Sequence, residues 1–179
     1  MNQLNSILLE INSKYQMKPR LTSEPSCSVS MARSLDKDRS NIEQFIAHNF
    51  YQSYQAQVDH FADLLIGCKS DEDHNWMAAF GMSKLTNKKA YLEQYLDQPI
   101  EHYISALTGK KVERSEVFEL GNLAADYPGA TRRLIKKMTS VIYNQGGRWV
   151  VFTVNKLVLN AFHKSNLNPQ VISKADPHR

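Results

Sequence analysis

Glu119-Leu-Gly-Asn122-Leu-Ala-Ala125 sets polar residues inside an apolar run. Val117, Phe118, Leu120 and Leu123 give that run the length and character of a strand. Glu119, flanked by Phe118 and Leu120, is therefore expected to be largely buried, and desolvation raises the pKa of a carboxyl. Such a group can take a proton near neutrality or anchor a substrate; it can also simply pair with an arginine on the next strand, such as Arg148. Just beyond the run, Asp126-Tyr-Pro128-Gly129-Ala130 marks a turn. Gly129, Ala130, Thr131, Arg132 and Arg133 then open a helix whose first amides and guanidinium groups suit a phosphate-bearing ligand. The bland alternative is a turn that only reverses the chain, followed by a solvated basic face of Arg132, Arg133, Lys136 and Lys137.

Other chemistries find little support in the chain. It has no GxSxG elbow and no P-loop. The six histidines, at 48, 60, 74, 102, 163 and 178, show no paired ligand spacing. The acidic turn from Ser70 to Asn75 lacks the alternating oxygens of a calcium loop and the donors of a zinc site, so no metal is expected. Cys27 and Cys68 have neither CxxC spacing nor a clustered histidine, and a reducing interior is the simpler reading. Nucleic-acid binding has only the short basic face in its favour and is not expected.

The elements that must position these groups can be read in order. Leu134, Ile135, Met138, Val141 and Ile142 recur at helical spacing, with Gly146-Gly147 as a stop. A second apolar strand, 148–154, returns parallel to the first by a right-handed crossover. Asn155 is an N-cap for a helix carrying Leu157, Val158, Ala161 and Phe162. Upstream, 27–33 is a weak first strand, and Ser40 with Glu43 has capping-box spacing for a helix reaching about Ala56. Residues 61–69 and 76–85 read as a hairpin. Two apolar stripes, Leu92–Leu96 and Ile100–Leu107, are divided by Pro99, with Asp97 as the expected cap. Leu4, Ile7, Leu8, Ile11 and Tyr15 suggest a short amphipathic helix, followed by a linker over 18–28.

Three segments together, LEQYLDQPIE (92–101), ELGNLAA (119–125) and RWVVFTV (148–154), resemble the thermostable haemolysin family of bacterial proteins. That family is similar in pattern to the acyltransferase superfamily abbreviated GNAT, which includes the acyl-homoserine-lactone autoinducer synthases. The resemblance covers residues 28–179, leaving 1–27 as an extension and linker. It implies a single mixed α/β domain, a twisted sheet flanked by helices, and the expectation here is a shortened member that lacks the last strands. It further implies transfer of an acyl group from acyl-CoA, or from the phosphopantetheine of an acyl carrier protein, to a small amine. In that reading Glu119 is the base or anchor, Asn122 positions the acceptor or the thioester carbonyl, and Gly129–Arg133 hold the donor phosphates. The usual Gln/Arg-x-x-Gly-x-Gly/Ala pattern of that superfamily is not in register at 125–131. The family name implies a different activity: a membrane-active, lytic protein acting without catalysis through its N-terminal segment or an exposed apolar surface. A third reading keeps the fold as a binding module.

Composition allows each of these. At 179 residues the chain suffices for one domain, and 42% hydrophobic with 22% charged residues is ordinary for a folded protein. A formal net charge of +4 permits attraction to phosphates, an acidic carrier or anionic lipid without selecting among them. No stretch approaches the ~18 apolar residues of a membrane span, nor does the N-terminus read as a secretory signal. A cytoplasmic location is the expectation, with secretion left open.

Overall fold

A computed structural model describes residues 4–11, 26–126 and 128–175. The strands are β1 (Leu4–Glu10), β2 (Cys27–Ala32), β3 (Leu64–Ser70), β4 (Trp76–Lys84), β5 (Val117–Ala125), β6 (Trp149–Val154) and β7 (Gln170–Ala175). The helices are α1 (Arg39–Tyr54), α2 (Ile100–Thr108), α3 (Pro128–Asn144) and α4 (Lys156–Lys164). The strands form one seven-stranded sheet in the order β2-β3-β4-β5-β6-β1-β7. β2, β3 and β4 run antiparallel to their neighbours, as β1 does to both β6 and β7. Hydrogen bonds from Asp126 to Met77 and from Leu85 to Val117 put opposite ends of β4 and β5 together, an antiparallel pairing. The Arg148 amide donates to Glu116, so β5 and β6 start side by side, the parallel arrangement expected of a strand–helix–strand crossover. The sheet is mixed, as expected.

Two compact units emerge along the chain. One comprises Met1–Gln16, Lys84–Glu119 and Met138–Arg179. Its core gathers Leu8, Leu85, Leu92, Ile100, Ile104, Val117, Trp149 and Val151, and Phe152 stacks on Phe162 of α4 with centroids 4.6 Å apart. The other comprises Met17–Ser83 and Leu120–Lys137, with Ala32, Ile42, Ile46, Leu65, Ala79 and Ala124 at its centre.

Several local expectations hold. Gly146 ends α3 with φ +81°, an angle glycine adopts without strain. The Asn155 side chain accepts from the Val158 amide at 3.1 Å and caps α4. The β3–β4 hairpin is present.

Others are corrected. Residues 4–10 are a strand, not an amphipathic helix. Ser6, Ile7, Leu8 and Leu9 are all buried, and a strand covered on both faces is apolar at consecutive positions, a run that periodicity does not separate from a helix. β1 fills the slot between β6 and β7, so the sheet extends past β6 through a strand from the other end of the sequence. α1 starts at Arg39 without a side-chain cap, and Glu43 pairs instead with Arg39 at 2.6 Å. Asp97 does not cap α2; Glu93 does, its Oε1 accepting from the Ile100 amide at 2.8 Å. The stripe at 92–96 is a 3-10 turn, Tyr91–Tyr95. Pro128 begins α3 rather than closing a turn, its fixed φ suiting the first helical position. The expected 18–28 linker for the most part, Tyr127 and the last residues, 176–179, lie outside the described residues.

Candidate functional site

Glu119 lies in β5 with Val117 two residues before it, so both point to the face covered by the 3-10 turn and α2. Its carboxylate does not meet Arg148, which lies over the Tyr143 ring at 4.8 Å and donates to the Gly147 carbonyl. Glu119 instead accepts from two consecutive backbone amides: Tyr91 to Oε2 at 2.8 Å and Leu92 to Oε1 at 2.9 Å. Burial pushes its carboxyl above the usual carboxylate range. The two amides and the charge of Arg114 pull the other way, while the nearby charge of Glu93 adds to the rise. The result is a carboxylate held in one orientation and more basic than a surface glutamate.

Beside it stands a network that the sequence reading did not single out. Glu93 is 6% exposed and receives Arg114 at both oxygens, each at 2.8 Å. It also accepts from the Ala90 and Ile100 amides, each at 2.8 Å. Arg114 reaches Glu101 at 2.5 Å and donates to the Lys88 carbonyl as well. Burial works against the Glu93 charge, but the guanidinium and the two amides outweigh it and hold the carboxyl below its ordinary value. The signal was present in the sequence: a glutamate between Leu92 and Tyr95, inside an apolar stripe.

Asn122 has φ +54°, a left-handed backbone conformation inside β5. Its amide is occupied by the segment before β3: Nδ2 donates to the His60 carbonyl at 3.2 Å and Oδ1 accepts from the Ala62 amide at 3.3 Å. Gly81 permits this approach, since a Cβ there would stand 2.9 Å from Asn122 Oδ1.

Gly129, Ala130, Thr131, Arg132 and Arg133 lie in the first two turns of α3, which begins at Pro128. Helix geometry leaves the leading amides of the helix without intrahelical acceptors and gives the terminus a partial positive charge. Ala130 is buried and Arg132 exposed. The charges of Arg133 and Lys137 are felt by the Cys68 thiol, which places part of the expected basic face near β3. Glu119 and Asn122 thus share β5 but are held by different segments, and two residues lie between the end of β5 and the start of α3. Among the described residues no three histidine, cysteine or carboxylate side chains gather as metal ligands, and no helix is long and apolar enough to cross a membrane.

The seven-stranded mixed sheet with its four helices is a GNAT-like fold, and solved structures bear this out. The chain is similar to the AHL synthase LasI, with a TM-score of 0.53 and 9% identity over 79% of this chain and 78% of that one. It is similar to TofI in an apo form, with a TM-score of 0.52 and 15% identity over 78% and 76%. A third likeness is to a structure described as a GCN5-related glucosamine N-acetyltransferase region of a fungal multi-domain GH3 beta-N-acetylglucosaminidase, with a TM-score of 0.56 and 12% identity over 95% of this chain and 20% of that one. At these identities the likeness is one of fold. The family itself is shown by sequence: residues 32–179 match the model for thermostable hemolysin, and the chain belongs to that family. No curated protein matches it.

Proposed function

We propose that the chain transfers an acyl group from a thioester, either acyl-CoA or an acyl carrier protein, to the nitrogen of a small amine. The observation that carries this reading is Glu119: a carboxylate of raised pKa, fixed by one amide at each oxygen, with lone pairs left on both. In the proposed reaction the amine attacks the thioester carbon and loses a proton to Glu119. The tetrahedral intermediate then collapses with release of the thiol. The amides at the start of α3, with Arg132, would bind the donor's phosphates. Asn122 acts in this reading by tying β5 to the segment before β3, since its side chain is already engaged. The likeness to an AHL synthase and to an N-acetyltransferase region supports the reaction class.

The test is thiol release from a panel of acyl-CoA donors with candidate amines. Glu119→Gln should lower kcat by at least about a hundredfold, within the range general-base catalysis supplies. Because the pKa is raised, wild-type activity should fall with decreasing pH through a value above the ordinary carboxylate range, and the variant should lose that limb. Equal turnover by wild type and Glu119→Gln would sink the assignment.

Family membership favours one second reading, lysis without catalysis. An N-terminal helix cannot serve it, since β1 is buried in the sheet. Exposed apolar side chains such as Leu35, 99% exposed in the loop after β2, would have to do so. Leakage from lipid vesicles with no thioester consumed would favour lysis over acyl transfer.

A further inference from the structure

The two cysteines, far apart in sequence, are brought together by the pairing of β2 with β3. Cys27 stands opposite Ser70 and Cys68 opposite Val29. Positions 27 and 29 share one face of β2, so Cys27 and Cys68 are diagonal neighbours on the same face of adjacent strands. The two thiols are close enough for Cys27 to raise the pKa of Cys68. Cys68 is fully buried and Cys27 is partly exposed. Diagonal neighbours stand somewhat wider apart than a disulfide prefers. The adjustment falls on Cys27, the first residue of a strand at the end of the sheet order, where among the described residues one side of the backbone has no ladder partner to lose.

We propose that Cys27 and Cys68 are a redox pair that closes to an intramolecular disulfide under peroxide. The partly exposed Cys27 thiolate attacks the peroxide, giving Cys27 sulfenic acid and one water. The Cys68 sulfur then attacks the Cys27 sulfur; the S–S bond forms, the sulfenic hydroxide leaves, and it takes up the Cys68 proton as a second water. Both thiols are oxidised and the peroxide is reduced, with no further reactant. Cys68 needs no access to solvent in this sequence, only to Cys27. Burial and the neighbouring thiol push its pKa up to about 12, so it is inert to outside reagents, while the charges of Arg133 and Lys137 favour its thiolate in the resolving step. The bond would tie β2 to β3 and enclose α1 within the closed loop, restricting the unfolded chain.

The experiment treats the folded full chain with hydrogen peroxide and follows intact mass, free thiols and chain association. Before oxidation, native alkylation should modify one cysteine, Cys27, and denaturation should reveal the second. After oxidation the wild type should lose two hydrogens and both thiols together while staying monomeric on a non-reducing gel, and dithiothreitol should restore both. Cys68→Ser should instead gain oxygen at Cys27 or form disulfide-linked dimers, and Cys27→Ser should leave Cys68 unmodified. The proposal is overturned if wild-type Cys27 advances to sulfinic acid with Cys68 still titrating as a thiol. It is equally overturned if every disulfide formed joins two chains.

Discussion

Replacing Arg114 with methionine isolates a charge shared among Glu93, Glu101 and the Lys88 carbonyl. The substitution removes two 2.8 Å contacts to Glu93, a 2.5 Å contact to Glu101 and hydrogen bonds to the Lys88 carbonyl, while keeping much of the aliphatic stem. Glu93, its side chain only 5% exposed, is left with two backbone amides as its compensation. Breaking a buried pair by deleting one partner costs about 3–5 kcal/mol, and the retained amides argue for the lower end, about 3 kcal/mol at pH 7. For a chain of this size that is a fall in Tm of roughly 6–12 °C. The pH dependence gives a sharper test. In the wild type the folded-state pKa of Glu93 lies below its unfolded value, so its contribution is complete above the ordinary carboxylate range and fades as pH falls through the depressed value. In Arg114→Met burial acts with less opposition, so the folded variant gains by protonation where the wild type loses. Urea unfolding should therefore show the gap between the two proteins narrowing from pH 7 to about pH 3. Adding Glu93→Gln should recover about 1 kcal/mol or more at pH 7, because the uncompensated charge is gone. A gap that stays constant with pH, or no recovery in the double variant, would refute the electrostatic account.

Three further outcomes follow from packing and backbone geometry. Thr153→Val should raise stability by about 1 kcal/mol, since the Thr153 hydroxyl is buried without a hydrogen-bond partner beside the equally unsatisfied Ser6 opposite it, and valine keeps the shape; a loss in urea midpoint would mean the hydroxyl is satisfied. Gly67→Ala should cost about 1–3 kcal/mol, because a Cβ there would stand 2.3 Å from the Trp76 ring, which must move; an unchanged midpoint and unchanged tryptophan fluorescence would contradict this. At residue 122, Asn→Gly should be milder than Asn→Ala by about 1 kcal/mol or more, both losing the clamp on 60–62 but only alanine straining at φ +54°, and equal thermal midpoints would show that this backbone angle costs alanine nothing.

Much of the framework was legible in the residues. The periodic helices, the hairpin, the Gly146 stop and the Asn155 cap depend on side chains within a few positions of one another, and such local preferences survive in any fold that keeps the segment. The burial of Glu119 and the rise of its pKa could also be read, because two apolar neighbours in a strand leave a carboxylate little water. Its partners could not. Whether a buried carboxylate meets a guanidinium or a pair of amides depends on which segment lies over the strand. Here that segment is Tyr91–Leu92, 27 or 28 residues away in sequence. β1 illustrates the same limit: Ser6-Ile-Leu-Leu9 announces burial, but only the slot between β6 and β7 makes it a strand rather than a helix. The approach of Cys27 to Cys68 belongs to the tertiary structure too, since strand register sets it and no spacing along the chain encodes a diagonal between two strands.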